Sequence, residues 1–273
     1  FEIALFQDKA NYLRLPKPNL RFIATQRAKL KQNLIINPIQ WASKNGFQKF
    51  ISKFYNQTYF TIENEQERTG NTFQLNPFQF NDDALVRLNL SVRNNLYFNK
   101  DLQKHSNTYI YADAQMKQQI LVGNQENTNR LHQVDYEHLF GLYWLFNFRV
   151  NQSETQLETE NFANRNFTID AVSVQPKISF FYHENNRFSA SYTFSNKENQ
   201  QGQLESLEQQ EVGLEYFFKD AKNNQVSANF NLFFNDFAGE TNSPVAYQML
   251  EGLQAGTNYT WNLAFNKQIN TFL

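Results

Sequence analysis

Hydrophobic and polar residues alternate along most of this chain, most regularly between Gln209 and Asp236. Successive side chains of a β-strand point to opposite sides, so this two-residue period predicts a hairpin with two distinct faces. Residues 220–224, which contain Asp, Lys and Asn, supply the turn. The aliphatic and aromatic face comprises Val212, Leu214, Tyr216, Phe218, Val226, Ala228, Phe230, Leu232 and Phe234, and the mostly polar face comprises Glu211, Gly213, Glu215, Gln225, Ser227, Asn229, Asn231 and Asn235.

The same alternation predicts about ten strands, which we expect to form one domain over residues 20–273 after a lead-in at 1–19. A helix is the alternative for residues 20–36, but the two-residue period fits them better. We expect polar loops at 64–82, 151–166 and 237–257. The other predicted strands cover 47–62, 84–98, 110–122, 136–150, 172–182, 188–194 and 259–265.

Sequential strands separated by turns favour an antiparallel, up-and-down sheet. No helical segment alternates with the strands, which argues against an α/β fold. The predicted fold class is therefore all-β, with an apolar face on nearly every strand. On residues 110–122 we assign Ile110, Ala112, Ala114 and Met116 to that apolar face.

Two environments explain such a face: the core of a soluble β-sandwich, or lipid around a transmembrane β-barrel. Lipid is favoured because the strand at 84–98 is far longer than the ~5 to 6 residues usual in soluble proteins. Aromatic residues also collect near strand ends, as they do at membrane interfaces. Because open sheet edges are not tolerated in lipid, we predict a closed barrel with outer-membrane lipid as its surroundings.

Composition narrows the function classes further. The net charge of -1 gives no electrostatic case for nucleic acid as a partner. The chain has no cysteine, which excludes disulfides and thiolate metal sites. No run of about 18 apolar residues predicts a transmembrane helix. Because the sequence begins at Phe1 without a signal peptide, we expect a mature product or an excerpt of a longer chain.

A resemblance to a known group lies in the last third of the chain. The carrying segments are Ser195–Asn199 with Leu204–Gln210, Asn242–Gln254, and Gly256–Leu263. Together they resemble the C-terminal barrel region of large Bacteroidota outer-membrane proteins, over roughly residues 160–273. The resemblance implies a bacterial outer-membrane location, and in those relatives another strand or two follow the Trp-containing one. It implies no particular activity.

The sequence gives little support for a catalytic or metal-binding site. His132 and His138 share a strand face but lie ~20 Å apart, too far to bind one ion. The chain has only four histidines, and no Ser-His-acid or Asp-His arrangement is evident from it. No glycine-rich phosphate loop is present. We therefore expect no enzyme activity, no metal and no cofactor.

The polar face carries charges that we expect to line the barrel lumen: Arg21, Arg27, Lys29, Lys31, Arg87, Arg93, Glu211 and Glu215. They predict either a cation-lined zone that favours anionic solutes or ion pairs that fill a narrow lumen. Three functions stay open. They are a structural, assembly or cell-surface barrel that contacts other envelope proteins, a porin-like pore or transporter for small or anionic solutes, and a soluble β-sandwich binding module.

One apolar cluster falls in a predicted loop. We expect the loops at 151–166, 199–206 and 237–257 to lie outside the cell and the turns at 183–186 and 220–224 on the opposite side. The cluster then forms an extracellular contact for a partner, or folds inward to plug the barrel mouth. Its members are Val245, Tyr247, Met249, Leu250 and Leu253.

Overall fold

Strands dominate the computed structural model, which describes residues 2–10, 23–37, 46–69, 85–99, 104–120, 123–183, 185–202, 204–220 and 224–267. The strands are β1 (Glu2–Ala10), β2 (Ile23–Ile36), β3 (Phe54–Thr69), β4 (Leu85–Phe98), β5 (His105–Ile120), β6 (Gly123–Phe140), β7 (Trp144–Thr159), β8 (Phe167–Tyr182), β9 (Asn186–Asn199), β10 (Ser206–Lys219), β11 (Gln225–Ala238) and β12 (Gly256–Asn266). The helices are α1 (Gly46–Ile51) and α2 (Pro244–Leu250), and Ala163–Arg165 forms a 3-10 turn. No helix in these ranges is long and apolar enough to cross a membrane.

The described strands form a single sheet in which each strand pairs antiparallel with its sequence neighbour, from β1 to β12. This order confirms the predicted all-β, up-and-down architecture and excludes two stacked sheets for these strands. β1 belongs to the sheet although it falls within the predicted lead-in. Among the described strands no hydrogen-bonded pairing joins β1 to β12.

The sheet is strongly curved. Helix α2 follows β11, yet its Gln248 lines the same cavity as Arg87 of β4. In a flat sheet, seven strand spacings of ~4.8 Å would separate β4 from β11. That distance is greater than the length of a seven-residue helix, so the sheet must curve to bring both strands close to α2. We call the concave face that carries α2 the inner face, and the opposite one the outer face.

Exposure along β9 is opposite to that of a soluble protein. Ser189 and Ser195 point to the inner face and are each 6% exposed. Phe188 and Tyr192 point to the outer face and are 49% and 40% exposed. The polar face is thus sheltered and the apolar face is open, a pattern that continues on β8, β10 and β11.

The outer-face residues of β7–β12 form a continuous apolar band at one end of the strands. Beyond the band the outer-face positions are polar, as at Glu154, Asp170, Glu198, Glu208 and Asp236, with Ala238 as the exception. The band is seven to eleven residues long per strand, close to the ~9 to 11 that a tilted strand needs to cross a bilayer. It comprises the even-numbered positions of 144–150, 172–182, 188–194, 212–218 and 226–234, and the odd-numbered positions of 259–265.

The position of the band also reports the strand tilt. A line of directly paired residues runs across the sheet through Thr257, Phe234, Gln210, Phe194, Val174, Val150, Val134, Tyr109 and Leu96. On β12 the band starts at Tyr259, two positions to one side of this line. On β4 the apolar outer-face residues extend to Leu88, eight positions to the other side of it, so the edge of the apolar surface shifts along the strands from β12 to β4. This drift of about one residue per strand corresponds to a tilt of roughly 40°, within the range of closed barrels.

Four expected element bounds need correction. The predicted strand at 47–62 begins with helix α1 (Gly46–Ile51), and β3 starts only at Phe54. Residues 136–150 are not one strand: β6 and β7 meet at a turn where Gly141 has a φ of 64° and Phe140 pairs with Trp144. Residues 151–159 continue β7, and residues 64–69 continue β3, instead of forming loops. Residues 151–159 and 64–69 lie beyond the apolar part of the outer face. No alternation of hydrophobic and polar residues marks them as strands there.

The face assigned to the strand at 110–122 was wrong. Ala114 pairs with Ser91, and Ala112 pairs with Arg93, so both alanines lie on the inner face. Tyr109 and Tyr111 occupy the outer face instead. The pairing register overrides the local pattern here because directly opposed residues must share a face.

Candidate functional site

Helix α2 lies within the predicted loop at 237–257 and begins with a well-formed cap. The Oγ atom of Ser243 accepts a hydrogen bond from the backbone N–H of Ala246 at 2.9 Å, and Pro244 occupies the first turn, where it sacrifices no helical hydrogen bond. The helix ends at Glu251, which has a left-handed φ of 54°. A cap, a proline and a left-handed stop together define a short helix.

One side of α2 is buried against the inner face. Val245, Ala246, Met249 and Leu250 recur at helical spacing, so they fall on the same side of the helix. This side forms the principal hydrophobic cluster of the described residues. Its wall residues from the strands are Phe167, Ile169 and Leu207, with Leu157 and Phe237 packed around them.

Polar contacts fix both ends of α2. Ser243 also donates its hydroxyl proton to Glu205 at 2.5 Å, and Asn199 donates to the same carboxylate at 3.1 Å. At the other end Lys197 of β9 donates to the carbonyl oxygen of Met249 at 2.8 Å and forms an ion pair with Glu251 at 2.6 Å. The helix is therefore anchored to the strand wall.

The apolar cluster predicted as an extracellular contact has a mixed placement. Val245, Met249 and Leu250 are buried against the inner face, as in the alternative of inward packing. Tyr247 is exposed and Leu253 is half-buried. Only the last two remain available to a partner.

A cavity of about 570 Å³ lies between α2 and the inner face of β4–β8. Its polar lining includes Arg87, Arg165, Asn89, Asn127, Asn129, Gln125, Thr155 and Gln248, and its apolar lining includes Met116, Leu157, Phe167 and Pro244. Among the described residues that line it there are two arginines and no carboxylate. The cavity is therefore cationic, with amide groups around it.

The predicted lumen charges of β2 and β4 lie on the inner face, and some of them are paired. Arg27 and Lys29 both bind the carboxylate of Glu63 on the adjacent strand, Lys29 at 3.0 Å. Among the contacts of the described residues, Arg87 and Arg93 reach neutral groups: Arg87 donates to the Asn89 amide at 3.4 Å and to the Met116 sulfur at 3.9 Å, and Arg93 donates to the Asn95 amide at 3.2 Å. Lys31 is exposed on the same face, and Arg21 lies outside the described residues.

The predicted acidic residues of β10 also lie on the inner face. Glu215 forms an ion pair with Lys177 of β8 at 2.6 Å, reaching over β9. Ser189 and Ser191 leave room for this contact because their side chains are small. Glu211 lies opposite Thr193 and Phe233. Glu215 is therefore paired with a nearby strand rather than across the lumen.

The histidines of β6 behave as outer-face polar residues. The Tyr109 hydroxyl lies 2.9 Å from Nδ1 of His132, and the Tyr136 hydroxyl lies 3.0 Å from Nδ1 of His138. Within the described ranges, no group of three or more His, Asp or Glu side chains is placed to hold a metal.

Sequence reasoning overlooked Arg165, Lys197 and Glu205. Arg165 sits in the 3-10 turn, Lys197 precedes the predicted loop at 199–206, and Glu205 lies near the end of that loop. An isolated charged residue produces no periodic pattern in the sequence. Its role is visible only from its contact with α2 or with the cavity. The serine, proline and small apolar residues at 243–246 gave the one available signal, that of a helix start.

No protein-family profile and no curated protein matches the chain. Among solved structures, it is similar to OmpT of Vibrio cholerae, an outer membrane protein folded in vitro (trimer form), with a TM-score of 0.38, 14% identity, and 96% of each chain covered. The outer-membrane expressed OmpT gives a TM-score of 0.38, 14% identity, and 96% and 94% coverage of this chain and of OmpT. The loop-deletion variant OmpTdeltaL8 gives 0.37, 12% and 95% of each chain. Similarities of this size establish no kinship, and the fold assignment rests on the strand pairing.

Proposed function

We propose that this chain is a bacterial outer-membrane β-barrel protein that acts as a structural, assembly or cell-surface component of an envelope complex. The observation that carries the location is the apolar outer band beside a sheltered polar inner face. In water that band leaves large side chains such as Phe188, Leu214 and Phe230 exposed on one surface, at an unfavourable free energy. In a bilayer the same surface is solvated by lipid.

The structural role, rather than transport, is supported by α2. The helix buries four residues against the strand wall and is held at both ends, so it occupies the inner space at its end of the sheet. Its exposed Tyr247 remains for contact with another envelope protein. The resemblance to Bacteroidota outer-membrane proteins supports the same assignment.

Membrane fractionation tests the location. We expect the full chain to stay in the outer-membrane fraction after carbonate washing and to require detergent for release. We also expect a folded form that migrates faster on gels before heating than after. Recovery in the soluble fraction without detergent would overturn the proposal.

A pore for small anionic solutes is the second candidate, favoured by the cationic cavity beneath α2. Single-channel recording in planar bilayers separates the two functions. Stable conductance steps with anion preference support the pore, and silent insertion supports the structural role.

A further inference from the structure

We propose that the cavity beneath α2 binds a small organic dianion, such as a dicarboxylate, between Arg87 and Arg165. This inference goes beyond the proposed function and does not depend on it, because the cavity is built from the inner face and α2 in either a membrane or a soluble protein.

The charge of the lining points to an anion. Arg87 lies on the inner face of β4 and Arg165 in the 3-10 turn before β8, so two distant segments bring guanidinium groups to one cavity. The described lining contains no carboxylate; Glu65 lies opposite Arg87 in the strand register, but outside the lining of the cavity. Two positive charges beside one cavity attract a doubly charged anion more strongly than one positive charge does.

Both guanidinium groups retain hydrogen-bonding capacity. A guanidinium has five N–H donors in a planar fork that matches a carboxylate. Arg87 uses its donors only weakly, on Asn89 at 3.4 Å and on the sulfur of Met116 at 3.9 Å. Arg165 stacks over the Phe162 ring at 5.0 Å, which orients the side chain without consuming its in-plane donors.

The rest of the lining indicates an organic anion rather than a bare inorganic one. Met116, Leu157, Phe167 and Pro244 give the cavity an apolar part. Asn127, Asn129 and Gln248 offer amide donors and acceptors beside it. A hydrocarbon segment flanked by two carboxylates satisfies both kinds of surface.

Isothermal titration calorimetry of the purified full chain tests the site, with succinate as the dianion, succinamide as its neutral counterpart of similar shape, and inorganic phosphate as an anion without an apolar segment. We expect succinate to bind with a Kd of roughly millimolar size and the other two to bind at least about tenfold more weakly. Equal binding of succinate and succinamide, equal binding of succinate and phosphate, or no binding of succinate would overturn the proposal.

Substitutions locate the binding within the molecule. Arg87→Gln and Arg165→Gln should each weaken succinate binding about tenfold, the size expected for one charge-assisted hydrogen bond. Arg187→Gln, near the opposite end of the strands, removes the same charge and should leave the Kd unchanged. If a glutamine variant does not fold, Arg87→Lys and Arg165→Lys replace it, and we expect intermediate weakening because lysine keeps the charge but loses the fork. Unchanged binding in both cavity variants would place the anion elsewhere.

Discussion

Lys197 of β9 donates a hydrogen bond from its Nζ atom to the main-chain carbonyl oxygen of Met249, 2.8 Å away, at the end of α2. The last carbonyl groups of a helix have no partner within the helix, so an ammonium group from the strand wall satisfies one of them. The same Nζ atom pairs with Glu251 at 2.6 Å. One lysine thereby ties a helix from a long connection to a strand more than 50 residues earlier.

Lys197→Met should loosen α2 while leaving the sheet intact. We expect the helix to lose about 1 to 3 kcal/mol of local stability, since a charge-assisted hydrogen bond disappears and a half-buried carbonyl loses its partner. Hydrogen exchange of the amides in 246–251 measures the effect. Glu251→Gln is the matched control: it removes the exposed ion pair but keeps the carbonyl contact, so its effect should be below about 1 kcal/mol. Equal acceleration of exchange in the two variants would contradict this role of Lys197.

Leu207→Ala should destabilise the protein far more than Leu214→Ala on the same strand. Leu207 is 0% exposed in the cluster beneath α2, whereas Leu214 is 51% exposed on the outer face. Truncating a buried leucine costs about 2 to 5 kcal/mol, and a surrounding lipid or detergent chain can fill the space left at Leu214. Urea unfolding in detergent micelles compares the two variants. A larger loss for Leu214→Ala would mean that the outer face is the packed one.

Phe230→Arg should fold into lipid vesicles with much lower yield than Asn229→Arg. Phe230 lies in the apolar band of β11, where arginine costs about 2 to 4 kcal/mol near the bilayer midplane. Asn229 pairs with Glu215 on the inner face, where a new cation meets a carboxylate. Folding yield is read from the heat-sensitive shift in gel mobility. Similar yields would show that lipid does not contact this face.

Cysteine substitutions test the topology, and the chain has no native cysteine to interfere. Glu240 lies at the α2 end of the sheet and Leu142 lies in the β6–β7 turn at the other end, both exposed. Because short turns of bacterial barrels are usually periplasmic, an impermeant maleimide on whole cells should label Glu240→Cys and spare Leu142→Cys. The reverse labelling would invert the proposed orientation. Labelling at both positions would show that no membrane separates the two ends of the sheet.

The β6–β7 hairpin shows why sequence reasoning merged two strands into one. Phe140 and Trp144 pair directly across a three-residue turn, so they share the outer face. They also differ by an even number of positions, and the two-residue period therefore continues through the turn without a break. Only the pairing partners distinguish a hairpin of this length from one long strand.

The sequence by itself determined the all-β architecture, the antiparallel order and, on β8–β12, the apolar and polar faces, because these follow from a local two-residue period. The tertiary structure alone decided the position of α2, its anchoring by Lys197 and Glu205, and the cavity shared by Arg87 and Arg165. It also decided the faces of β5, where the register with β4 overrides the local pattern. Those features depend on contacts between residues far apart in the chain, and the curvature of the sheet that creates them leaves no periodic trace in the sequence.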